Sequence, residues 1–280
     1  MTKLKYTLKN DILFKMLFTK YPDLLQMLVA ELLNIQYESI KQFEIKNPEM
    51  PPERMGDKFI KLDINMTVDE QVVDLEIQVK NEGDYPERTL FNWAREYSAA
   101  LPEGEDYSKL PQVIIVSIIY FKHFKCKEFH SEFRPLEVTR HTLLTDKMSM
   151  HYFELPKLPK SINTERGLEL WLALFKAKTE EDLKKIEILE VPVMKQAIGA
   201  YRHVAATPEF RELERMRSKA LHDEAQAMKH AKEQERKKWQ KVVAQKDAAL
   251  ADKDAVIADK DAELEKFRKL LAKFQVKEEN

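Results

Sequence analysis

Asp74, Glu76, Gln78 and Lys80 fall at every second position of one short stretch, with Val73, Leu75, Ile77 and Val79 between them. In a β-strand this alternation lines the four polar groups along one face at a spacing of roughly 7 Å. Asp63 lies eleven residues before the row, inside a second strand-like run at residues 59–68. The segment Asp69, Glu70 and Gln71 between the runs is short enough for a hairpin. Pairing the two strands brings Asp63 beside Glu76, where two hard oxygen donors can share a divalent cation. With Gln78 to place a water, such a constellation suits metal-assisted hydrolysis of a phosphodiester. An antiparallel pair with one face in water shows the same alternation. A helix and then a buried strand follow, so the row of acids is expected to line a cleft between layers.

Composition narrows the alternatives. Lys plus Arg number 47 and Asp plus Glu 48 in 280 residues, a net charge of −1, so nucleic-acid binding must use a local patch. One cysteine, Cys126, allows no internal disulfide and suggests a reducing compartment. The N-terminal residues carry no apolar stretch typical of a signal peptide, and the longest apolar run, 113–121, is broken by Ser117. That run is too short to span a bilayer, and the expectation is a cytoplasmic protein without a membrane partner. Five scattered glycines provide no phosphate-cradling loop, which argues against nucleotide triphosphate chemistry.

The elements that must position the acids read as follows. Asn10 or Asp11 can cap a helix at 12–19, and Pro22 opens a second helix at 22–33 with five leucines at helical spacing. A strand is expected at 40–45, a loop at 47–52, then the two alternating strands. Residues 86–101 read as a helix with Leu90, Phe91, Ala94, Tyr97 and Leu101 inward and Arg88, Asn92 and Arg95 on another face. Residues 113–121 are apolar on both faces, as a central parallel strand should be. A further strand at 150–155 stops at Pro156. From residue 168 onward the pattern is helical, with a capping box at Thr179 and Asp182 and a new start at Thr207 and Pro208. No proline or glycine interrupts the rest, so one helix could run for about 100 Å. Its end repeats every seven residues, with Leu250, Ile257, Leu264 and Leu271 in one register and mainly Lys or Ala in the partner column.

Taken in order, these segments resemble the PD-(D/E)XK nuclease superfamily, and within it the Rpn branch of recombination-promoting nucleases, also described as PD-(D/E)XK family transposases. Asp11, Phe14, Lys15 and Phe18 are similar to that branch's opening D-x-x-F-K-x-x-F. Asp63 between Leu62 and Ile64, and Glu76 and Gln78 around Ile77, resemble its strand motifs. Arg88, Leu90, Trp93, Ala94 and Arg95 resemble its R-x-L-x-x-W-A-R helix. Gly104 to Tyr107 and Tyr152 to Leu155 also fit, and the likeness covers residues 7–160. It implies a restriction-endonuclease-like α/β fold, a mixed sheet flanked by helices, with DNA as substrate and Mg²⁺, or another divalent cation such as Mn²⁺, as cofactor. One departure is that Gln78 stands where the superfamily usually has lysine, although glutamine is common there in the Rpn branch.

The expectation is therefore a nuclease-like domain at 1–160, a helical accessory region at 161–206 and a long charged helix at 207–280 that pairs, parallel or antiparallel, as a homodimer. Asp63, Glu76 and the carbonyl of Ile77 would hold the metal, with Gln78 aligning water. Lys80, on the same face, either supplies the charge that Gln78 lacks or is an ordinary solvated lysine. Asp11 is a helix cap or a further metal ligand. Arg88, Asn92 and Arg95, at i, i+4 and i+7, either bind phosphates or form surface ion pairs. His123, Cys126 and His130 hint at zinc, but they lack a fourth ligand and are interleaved with Lys122, Lys125 and Lys127. The functional expectation is a metal-dependent deoxyribonuclease in recombination or transposition. The alternative is an inactive, nuclease-derived module that binds DNA or protein.

Overall fold

The structure is a computed structural model that describes residues 2–47, 63–81, 83–101, 103–159 and 166–278, with side chains through residue 269. The loop expected at 48–52, the strand residues 59–62 and the side chain of Leu271 lie outside the described set. Two units are present, residues 1–215 and 216–280.

The first unit is built on a six-stranded mixed sheet in the order β1-β2-β3-β4-β6-β5. Its strands are β1 (Phe43–Ile45), β2 (Ile64–Val68), β3 (Gln71–Gln78), β4 (Val113–Ile119), β5 (His130–Phe133) and β6 (Met148–Glu154). β2 and β3 form the expected hairpin, joined by Asp69 and Glu70, with Asp69 at a φ of 51° and Gln71 already paired to Val68. An aspartate tolerates that left-handed backbone at lower cost than most residues. β3, β4 and β6 run parallel, and every residue of β4 is buried, which accounts for its six β-branched residues in seven, with Ser117 the exception.

The two faces of the sheet carry different loads. Ile64, Met66, Val73, Leu75, Val116 and Ile118 belong to the larger apolar core. That core also takes in α1 (Asp11–Lys20), α2 (Pro22–Leu33), α4 (Gly167–Lys176), α5 (Glu180–Glu187) and α6 (Pro192–Ala206). The start of α7 (Pro208–Glu278) joins it through Phe210, which is fully buried with its ring edge-on to Tyr6 at 4.8 Å. Both capping-box bonds at Thr179 and Asp182 are made.

The other face is covered by α3 (Tyr85–Ala99) over a smaller cluster of Tyr85, Ile115, Ile119, Met150 and Tyr152. Here the expected helix face is corrected. Leu90 and Phe91 are 49% and 67% exposed, whereas Tyr85, Thr89 and Asn92 are buried. Apolar periodicity misleads at this helix because the sheet face beneath it carries Asp74, Glu76 and Ser117 beside its apolar residues, and polar groups turned inward satisfy them. Among the described residues no helix is long and apolar enough to cross a membrane.

Candidate active site

The hairpin register determines which polar groups meet. Asn65 pairs with Asp74 and Ile64 with Leu75, so one step further Asp63 stands opposite Glu76. On the other side of β3, Glu76 is in register with Ser117 of β4, and Ser117 with Tyr152 of β6. Side chains paired across a sheet share a face. Asp63, Asn65, Asp74, Glu76, Gln78 and Ser117 therefore all lie on the side that α3 covers. Asn47 secures the entry to β2: its side chain donates to the Asp63 carbonyl (3.0 Å) and accepts from the Asn65 N–H (2.9 Å).

This face is not bathed in water. Asp74 is 3% exposed and Glu76 1%. A carboxylate so deeply placed requires donors, and Glu76 Oε1 accepts from the Tyr85 hydroxyl and from Ser117 Oγ at 3.0 Å. Burial, and then the adjoining Glu76 carboxylate, raise the Tyr85 hydroxyl well above the usual tyrosine range, so it stays protonated and donates. Arg88 lies over the Tyr85 ring, 5.1 Å from its centre, and brings positive charge to the same corner. Further along α3, Glu96 accepts from the Asn65 side chain at 2.8 Å, tying the helix to β2. Tyr85, Thr89, Asn92 and Glu96 follow helical spacing and form the inward polar stripe.

The remaining expected residues are distributed around this centre. Gln78 is half-buried at the end of β3, its side-chain amide donating to the Lys80 carbonyl at 2.8 Å, while Lys80 is exposed. Ile77 lies between Glu76 and Gln78 and pairs with Ile118. Asn10 caps α1 by accepting from the Leu13 N–H, and Asp11 follows as the first helical residue, accepting from the Ile12 N–H at 2.9 Å. α1 packs in the core on the opposite face of the sheet. Arg88, Asn92 and Arg95 are not one surface stripe: Asn92 is buried, Arg88 half-buried, and Arg95 exposed beside Glu96 at 3.1 Å. His123, Cys126 and His130 are engaged separately. His123 packs edge-on to Phe124, Cys126 Sγ lies 3.8 Å from Ser131 Oγ, and His130 bonds His151.

Tyr85 and Ser117 were not singled out from the sequence as site residues. A signal existed for Ser117, the one polar residue in the apolar run of β4. Tyr85 precedes Pro86 at the start of α3 and gives no comparable sign. Because Tyr85 orients Glu76, Tyr85→Phe is expected to keep the fold and, where Glu76 serves the metal-assisted cleavage expected from the sequence, to lose about 10–100-fold in rate, the usual cost of losing a group that orients a metal ligand. It should also raise the metal concentration for half-maximal activity. A variant with wild-type metal dependence would show that the hydroxyl does no more than satisfy a buried acceptor.

Mg²⁺ takes one or two protein carboxylates and keeps several waters, and Asp63, just ahead of β2, with Glu76 of β3 would offer such a pair. Among the described residues no group of three or more His, Cys, Asp or Glu that could hold a metal ion is found. No curated protein and no solved structure matches the chain. The family model for PD-(D/E)XK nuclease family transposases, whose nucleases act on DNA and generally use divalent metal ions, matches residues 8–231. With a mixed six-stranded sheet flanked by helices, and four-fifths of its length matched, the chain belongs to the PD-(D/E)XK nuclease family transposases.

Proposed function

We propose that the protein is a metal-dependent DNA endonuclease that hydrolyses phosphodiester bonds during recombination or transposition. The observation that carries this reading is the register of β2 and β3, which sets Asp63 opposite a Glu76 already oriented by Tyr85 and Ser117. Asp63, Glu76 and the Ile77 carbonyl would hold Mg²⁺ or Mn²⁺, which when bound lowers the pKa of a coordinated water and polarises the phosphodiester. The chain's own residues do the positioning. Tyr85 and Ser117 fix one oxygen of Glu76, so that little reorganisation remains when charge develops. Gln78 aligns the attacking water, and Lys80 stands beside it to offset negative charge on the phosphate. Arg95 and Arg88 would contact the DNA backbone.

The test is cleavage of linear and supercoiled DNA with Mg²⁺, with Mn²⁺ and with chelator. Metal-dependent products from both substrates are expected, and chelator should abolish them. Gln78→Ala should lower kcat more than DNA affinity, because its role is to place water. Lys80→Ala should cost on the order of 10²-fold if its charge replaces the missing lysine. Wild-type rates for Lys80→Ala would remove it from the site.

The burial of Glu76 under α3 also favours a second reading, a nuclease-derived module that binds DNA without turning it over. DNA binding unchanged by Glu76→Gln, together with no cleavage in either metal, would select it.

A further inference from the structure

Along α7 the residues Trp239, Val243, Leu250, Ile257, Leu264 and Phe267 are between 52% and 64% exposed. A helix gains stability chiefly by burying an apolar stripe, and this one leaves its stripe open among the described residues. Assigning Val243, Leu250, Ile257 and Leu264 to heptad position a puts Trp239, Lys246, Lys253, Lys260 and Phe267 at d. Each of the three d-position lysines is followed directly by an aspartate at e: Asp247, Asp254 and Asp261.

That repeated Lys-Asp step selects an occupant. In a parallel two-stranded coil a residue at d seats beside the partner helix's e position, so every lysine stem covers the apolar column while its ammonium reaches a partner aspartate. In an antiparallel pair the flanking residues would be Ala249, Val256 and Glu263, only one of them acidic. Shifting the helices by one heptad would keep the Lys-Asp matches but set Trp239 and Phe267 against lysines. We propose that α7 is the interface for a second copy of this chain, paired parallel and in register over residues 239–267, with apolar a layers alternating with d layers closed by cross-helix ion pairs.

The inference does not depend on catalysis and is tested on the full chain carrying Cys126→Ser. Leu250→Cys and Leu264→Cys are made separately, and each is oxidised after sedimentation analysis at micromolar concentration. A dimer in which each variant alone forms a disulfide with its own copy is expected, because only a parallel in-register pair brings both positions to themselves. Ala255→Cys, on the outer face, should remain uncrosslinked. Replacing Asp247, Asp254 and Asp261 together by lysine should weaken dimerisation by about tenfold or more, and mixing with the Lys246→Asp, Lys253→Asp, Lys260→Asp chain should restore it. A monomer, a trimer, or crosslinking only when the Leu250→Cys and Leu264→Cys chains are mixed would overturn the proposal.

Discussion

Asp63→Ala and Glu76→Ala are each expected to reduce Mg²⁺-dependent DNA cleavage to background while circular dichroism stays that of the wild type. Loss of a group that merely orients a ligand costs about 10–100-fold, and removing a ligand itself should cost more. The two variants should differ in stability. Glu76→Ala strips two buried hydroxyl donors, Tyr85 and Ser117, of their acceptor, for a penalty of about 1–3 kcal/mol each. Glu76→Gln keeps an oxygen for those donors and isolates the loss of charge. Residual cleavage within a few-fold of wild type in either alanine variant would remove that residue from the metal site.

The second large effect is on stability in acid. On the edge of the sheet away from the acids, His151 is 7% exposed, with Nδ1 3.1 Å from His130 Nε2 and Nε2 2.8 Å from Ser149 Oγ, which in turn donates to Glu132 at 3.1 Å. Burial drives His151 down to about 4; Glu132 opposes this, and His130 and Arg134 add to it. The unfolded chain binds a proton near the ordinary histidine value of about 6.5 while the native one does not. The contribution to stability is therefore complete above pH 6.5 and is lost as pH falls toward 4, amounting to about 3 kcal/mol. Urea unfolding at pH 7.5 and pH 4.5 should show that loss in the wild type and a clearly smaller one in His151→Gln. Equal losses in the two proteins would mean that other groups carry the acid sensitivity.

Sequence periodicity located most elements because it reports burial of whole faces. The five leucines of α2, the apolar run of β4 with its single serine and the short link between β2 and β3 each admit one low-cost arrangement. β5 was not anticipated, since His130, Ser131, Glu132 and Phe133 show neither alternation nor an apolar run, and only pairing with β6 makes them a strand. The candidate site divides in the same way. Asp63, Glu76 and Gln78 were legible as alternation across a hairpin, a local pattern. Tyr85 and Ser117 reach Glu76 from 9 and 41 residues away in the chain, and no local pattern encodes that meeting.

α3 shows where sequence alone reaches its limit. Its apolar residues suggested one buried face, yet the structure buries Tyr85, Thr89 and Asn92 and leaves Phe91 in water. The amphipathic rule assumes an apolar partner layer, and here buried carboxylates interrupt that layer. The sequence by itself determined the β2–β3 hairpin and the central strand β4, and it marked Asp63 and Glu76 as candidates. Tertiary structure decided that Glu76 is enclosed and which hydroxyls hold it, because a buried carboxylate must take its donors from whichever element packs over it.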